Sequence, residues 1–291
     1  MKKIAIKDRV VEAMFSSGAK ASVIVVMILL VALFLALLYK AIPAIKEFGF
    51  GFIFSLKWDV NTNEFGGLAS IYGSVISTFI AMILATPVAI GTAIFLTQIA
   101  PHKIRSFFGV SIELLAAIPS IVYGMWGFIY FVPLVRVIFG GSGFGLLTGG
   151  LVLGVMILPF IASVSRDAMN TTPEILKESA YALGATKFDV IKHVIFPYAK
   201  LGIIGSIILA LGRAFGETMA AIYLLGAIQK IPDNLASPAT SIPVTLASQF
   251  GEAMGNELYE SSLFYLALIL FLISFASIAL AKFVFLKRGM G

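Results

Sequence analysis

Arg213 and Glu217 are the residues whose type and place point most directly to chemistry. They sit four residues apart in a run, residues 201–225, that carries no other charge. An ionisable side chain in such a run costs a few kcal/mol or more inside a bilayer unless it is paired or wet. Read as one helix, positions i and i+4 share a face, so the two can pair. With Lys200 at the inner end, Arg213 lies about 20 Å along the axis, past the middle of a ~30 Å hydrocarbon core. Two roles stand open. In one, the pair faces a pathway, the guanidinium takes a tetrahedral oxyanion through two parallel hydrogen bonds, and Glu217 keeps the site from holding its anion too tightly. In the other, the pair is a buried lock between helices. Thr218 is a weaker hydrogen-bond donor at the same place.

Other chemistries are set aside by what the chain lacks. No Gly-x-x-x-x-Gly-Lys-Ser/Thr occurs, so the chain is not expected to hold a nucleotide by that loop. It has no cysteine, which removes disulfides and thiolate metal sites. His102 and His193 are far apart, which argues against a histidine metal site. No Ser-His-Asp set emerges. Glu113 is read as the start of a membrane helix, where an acid has an ordinary role beside the helix dipole.

These residues need membrane helices to position them. The chain has 291 residues, 59% hydrophobic and 12% charged, too few charges to cover a soluble domain of that size. Six spans are expected: Ala21 to Tyr39, one within Leu68 to Ile99 with a kink at Pro87, Val110 to Val135, Leu146 to Ser165, Leu201 to Leu225, and Ser262 to Ala281. Residues 1–20 form a basic tail in which Ile6, Val10 and Met14 suggest a helix lying on the membrane surface. Residues 21–40 are the first span and 41–67 an outer loop with Phe48, Phe50, Phe52 and Phe54 on alternate positions. Residues 68–282 form the core, with an outer loop at about 226–261, and 283–291 a second tail. Gly141, Gly145 and Gly149 open the fourth span as either a packing seam or a flexible loop.

The net charge of +6 follows topology rather than nucleic-acid binding. Of 21 Lys and Arg, the outer segments hold five (Lys40, Lys46, Lys57, Arg136 and Lys230), Arg213 stands apart, and the other 15 fall inside. That bias puts both termini in the cytoplasm. It also puts there the polar stretch from Asn170 to Pro197. Within it, Thr172 is expected to cap a helix that starts at Pro173 and ends at Gly184, so the helix covers about 173–184. Thr186 with Asp189 has the form of a capping box for the next helix. A short helix held in water between two spans suits docking in a partner's groove.

The same stretch resembles the EAA loop of ABC-importer permeases. Glu178-Ser179-Ala180, Gly184 and Pro197 keep its spacing, with Val194 and Phe196 at the hydrophobic places and Ser179 in place of Ala. The residues from Gly212 to Ala220 and from Glu113 to Gly124 are similar to the matching segments of phosphate-importer permeases. The Glu-Thr-Met ending and the long first outer loop resemble the PstC-type subunit more than its PstA-type sister. This resemblance implies an all-α, six-span type I permease fold with a coupling helix, Glu178, Ser179, Ala180, Gly184 and Pro197 at the ATPase, and Arg213 and Glu217 in transport. It implies inorganic phosphate as cargo and a home in the cell inner membrane. Its partners would be a second homologous permease, a homodimeric ATP-binding subunit that holds ATP and Mg, and a periplasmic or lipoprotein phosphate-binding protein. No cofactor in this chain and no enzymatic activity of its own are expected. A permease for molybdate or sulfate and an ion-coupled secondary transporter are the rivals; against the second, the sequence shows no obvious pair of inverted halves with broken helices.

Overall fold

A computed structural model describes residues 2–287. Among them are thirteen α-helices, one two-stranded hairpin and six stretches long and apolar enough to cross a membrane. These stretches are Met14–Phe48, Leu68–Ile99, Ser120–Phe139, Leu146–Asn170, Lys187–Phe215 and Glu257–Phe283.

α1 (Lys2–Phe48) is one helix of 47 residues, about 70 Å long. The tail therefore runs into the first span without a break, and the expected surface helix has no boundary of its own. The side chains of Ile6 and Val10 lie outside the described ones. α2 (Gly51–Phe54) and the hairpin β1 (Trp58–Asp59) with β2 (Glu64–Phe65) follow. The hairpin turn is held by Asp59 Oδ1, which accepts the Asn61 N–H at 2.8 Å. The alternating phenylalanines divide. Phe52 is fully buried and stacks on Tyr265 with ring centres 4.6 Å apart, and Phe48 meets Phe65 edge-on, whereas Phe50 and Phe54 are exposed.

The centre of the core is the packing of α3 (Leu68–Ile94) on α7 (Leu146–Asn170). Ala81, Ala85, Ala89 and Ala93 recur every fourth residue on α3, all buried, which brings one helix face close to its neighbour. The glycines before α7 have positive φ at Gly141, Gly143 and Gly145 and form a loop. Those inside it are seam residues: a Cβ on Gly150 would lie 2.6 Å from Ile80 Cγ2. A π-helical turn, Phe95–Ile99, ends the second span.

The third span differs from the expected one. α4 (His102–Ala116) is a separate helix in the connection after the second span, and the chain breaks at Ala117–Pro119 before α5 (Ser120–Trp126), a π-turn, and α6 (Val132–Phe139). Pro119 has φ −58° and ψ 137° and precedes the first helical residue of α5, as a proline that cannot continue a helix should. Glu113 is thus in the last turn of α4, not at a helix start. Its carboxylate accepts a hydrogen bond from Arg166 Nη2 at 2.7 Å.

The fifth span is also interrupted. α8 (Glu174–Ala182), α9 (Lys187–Val190), a π-turn, α10 (Phe196–Phe215) and α11 (Met219–Leu225) follow α7 in order. α10 ends at Gly216, so the helix expected over Leu201 to Leu225 is two helices. The outer loop expected at 226–261 contains α12 (Ile242–Gln249), capped by Ser241, whose Oγ accepts the Val244 N–H. α13 (Glu257–Lys287) carries the sixth span and packs along α1.

Candidate functional site

The break at Gly216 decides where the charged pair goes. At the end of α10 the Gly216 N–H reaches the Gly212 carbonyl at 3.3 Å and the Glu217 N–H reaches Ala214 at 3.5 Å, a loosened last turn. Glu217 is therefore not one turn along a helix from Arg213. Its Oε1 accepts the backbone N–H of Ala220 at 3.0 Å and so satisfies one of the free donors at the start of α11. The expected Arg213–Glu217 pair does not form. Arg213 is half-buried and makes no hydrogen bond or ion pair among the described residues. Thr218 Oγ1 donates to the Gly216 carbonyl at 3.3 Å. Gly216 and Thr218 also line a cavity of about 380 Å³ with Pro243, Leu246, Phe250 and Leu270.

A second break faces the first. α5 packs on α11 at Gly124, where a Cβ would lie 2.8 Å from Ala220 Cα. Only a glycine allows that approach of backbone to backbone. At the residue just before Gly124, the Tyr123 hydroxyl donates to the Leu115 carbonyl at 2.8 Å and so bridges the break at Pro119. Tyr123 lies in one buried cluster with Ala210 and Ala214, which stand on either side of Arg213 in α10. Two short helices, each following an interruption, thus meet beside the one unpaired guanidinium of the fifth span. Non-helical backbone at membrane depth is tolerated where it is buried in protein or lines a wet cavity.

Nothing in the sequence places Tyr123 beside Arg213. Its neighbourhood depends on the fold of two breaks, and the only local signal is Pro119.

The polar segment is a separate feature. α8 buries none of its residues. Glu178 and Ser179 are exposed and Ala180 is half-buried. Ser179 Oγ donates to the Ile175 carbonyl at 2.7 Å. Gly184 has φ +84°, the left-handed value a helix-ending glycine supplies, and the Ala185 N–H returns to the Ala180 carbonyl at 3.1 Å. The capping box is present: Thr186 Oγ1 accepts the Asp189 N–H, and Asp189 Oδ2 accepts the Thr186 N–H at 3.1 Å. Pro197 stands in the first turn of α10. The start of α8 differs from expectation. Pro173 is the N-cap and Glu174 the first helical residue, while the Thr172 hydroxyl is buried and has no hydrogen-bond partner. Pro173 has φ −58° and an extended ψ of 134°, so the helix begins one residue later than expected and Thr172 stands one position too early to cap it. Leu183 is 90% exposed and Phe188 69% exposed, so the end of α8 and the start of α9 present uncovered apolar surface.

Comparison with known proteins identifies the family. Residues 66–288 match the family model of the binding-protein-dependent transport system inner membrane component. The phosphate transport system permease protein PstC of Mesorhizobium japonicum is 42% identical over 296 residues, covering 95% of this chain and 90% of the relative. That of Haemophilus influenzae is 40% identical, covering 95% and 94%. PstC 2 of Mycobacterium tuberculosis is 35% identical, covering 91% and 90%. Among solved structures, a chain of the bacterial alginate ABC transporter superposes with a TM-score of 0.60 at 14% identity, covering 84% of this chain and 85% of that one. A chain of the inward-facing MetNI methionine ABC transporter gives 0.57 at 22% identity, covering 73% and 93%. The fold is that of type I ABC-importer permeases. The chain is a multi-pass inner-membrane protein that belongs to the binding-protein-dependent transport system inner membrane components, in the PstC-type branch of that family.

Proposed function

We propose that this chain is a permease subunit of an ATP-driven importer of inorganic phosphate. The observation that carries the reading is Arg213, a half-buried guanidinium with no hydrogen bond or ion pair among the described residues, in the last turn before the break at Gly216. A charge left so in a membrane span is costly unless water or an anion meets it. A guanidinium suits a tetrahedral oxyanion, and the relatives named above are phosphate transport permeases. Glu217 and Thr218 complete the pathway segment: Glu217 sets the start of α11 and keeps a carboxylate near the anion's route, and Thr218 offers a hydroxyl. With both termini in the cytoplasm, α8 lies there too. Glu178, Ser179, Ala180, Gly184 and Pro197 then form the dock for an ATPase.

The assembly that fits is a second, homologous permease enclosing the pathway with this one, two copies of an ATP-binding subunit inside, and a phosphate-binding protein outside. ATP and Mg are held by the ATP-binding subunits, and this chain brings no cofactor and no hydrolysis of its own. ATP binding draws the two ATPases together, and α8 carries that motion to the spans. Access to Arg213 changes from one side of the membrane to the other.

The test is ATP hydrolysis by the purified complex with binding protein that is empty, phosphate-loaded, or offered sulfate or molybdate. Stimulation by the phosphate-loaded form alone is the expected result. Equal rates under all conditions, or stimulation by another oxyanion in place of phosphate, would overturn the reading.

A further inference from the structure

Arg166 is the polar residue that the transport reading leaves unused. It lies four residues from the end of α7, and its side chain is largely buried. Its Nη2 donates to Glu113 Oε1 at 2.7 Å, and Nε and Nη2 reach Asp167 Oδ1 at 3.1 and 2.8 Å. Asp167 is on the same helix, so Glu113 is the partner through which Arg166 reaches α4, beside the apolar packing of α4 on α7. Gly109, one turn before Glu113, makes room for it: a Cβ there would lie 2.8 Å from Arg166 Nη1. Glu113 is more than half exposed, and an ion pair so placed adds little to stability. Its position is the informative part. α7 runs past Arg166 and, after Thr171–Pro173, becomes α8. α4 runs past Glu113 to Leu115, whose carbonyl holds the Tyr123 hydroxyl, and Tyr123 shares a buried cluster with Ala210 and Ala214 on either side of Arg213.

We propose that the Arg166–Glu113 pair is a positioning contact of the transport cycle, carrying movement of the docked α8 into α4 and so to the Tyr123–Arg213 site. This rests on the reading of the chain as an ATP-driven permease subunit. The pair lies on the side of the molecule that carries α8, because α4 occupies the connection between the second and third spans and α8 that between the fourth and fifth. Rigid helices joined by a discrete polar contact form the kind of network that can carry coupling between distant sites.

The test is phosphate taken up per ATP hydrolysed by the full complex in proteoliposomes. Arg166→Gln and Glu113→Gln each lower that ratio by about fivefold or more, with wild-type amounts of assembled complex. The double variant falls no further than the worse single, because either change removes the whole contact. Glu113→Asp recovers part of the loss. An unchanged ratio in the singles, or losses that add in the double, overturns the proposal. If the glutamine variants do not assemble, Gly109→Ala decides, since it keeps both charges and displaces the guanidinium: a lowered ratio supports the contact and an unchanged one overturns it. A wild-type complex that hydrolyses ATP without taking up phosphate would overturn the transport reading instead, so the two failures are distinct.

Discussion

Glu217 accepts a hydrogen bond from the backbone N–H of Ala220 at 3.0 Å and leaves Arg213 without a carboxylate. The interruption at Gly216 turns a pair that would neutralise itself into a cation open to an anion and a carboxylate that holds a helix start. A closed pair would have favoured a structural lock. The open one favours a transport role, and the two residues should respond differently to substitution.

Arg213→Ala should abolish phosphate uptake while the complex still assembles. The loss of charge-assisted hydrogen bonds to the anion is worth on the order of tenfold to a hundredfold in binding. Arg213→Lys should recover only part, because an ammonium keeps the charge but not the two parallel hydrogen bonds. Uptake in whole cells and complex yield on purification measure both. Loss of assembly in Arg213→Ala would point back to a structural lock.

Glu217→Gln keeps an oxygen that can accept the Ala220 N–H, and Glu217→Ala does not. Thermal unfolding of the complex should therefore show Glu217→Gln close to wild type and Glu217→Ala lower by about 1 kcal/mol, the usual worth of a helix-start cap. Equal midpoints for the two variants would show that the hydrogen bond contributes nothing.

Gly124→Ala should destabilise the α5–α11 contact. Its Cβ would stand 2.8 Å from Ala220 Cα, where only backbone movement can relieve the clash, and such overpacking costs about 1–3 kcal/mol. A wild-type thermal midpoint for this variant would contradict the close approach of the two helices.

The polar segment was legible in the sequence because its signals are local. Thr186 and Asp189 cap within one turn, Gly184 ends a helix by its own conformation, and each was found where it was expected. The interruptions were not legible for the opposite reason. Beyond Arg213, Glu217 and Thr218, the stretches on either side of Gly216 are largely apolar, so 201–225 reads as one span. Pro119 signals an interruption, but the Tyr123 hydroxyl on the Leu115 carbonyl that spans it has no local signal. Glu113 and Arg166 are separated by 53 residues, and no spacing rule joins them. Thr172 has the right type for a cap, yet the fixed backbone of Pro173 takes the cap position. The hairpin and α12 lay hidden in loops whose turn residues fit many conformations.

Gly184→Ala should preserve the fold of the spans and weaken coupling. There is open space around the position, so the cost is backbone strain at φ +84°, about 1–2 kcal/mol for a left-handed residue with a side chain. Phosphate uptake should fall, and Glu178→Lys, which reverses a charge on the exposed face of α8, should stop it. Co-purification of the ATPase with each variant tells whether docking itself is lost. Full uptake in both would remove the coupling role from α8.

The central claim is that ATP hydrolysis on one side drives phosphate past Arg213. Proteoliposomes holding the wild-type or Arg213→Ala complex, with ATP inside and phosphate-loaded binding protein outside, test it directly. The wild-type complex should accumulate phosphate above the external concentration only when ATP is present, and Arg213→Ala should assemble and accumulate none. Accumulation by Arg213→Ala at the wild-type rate, or accumulation without ATP, would contradict it.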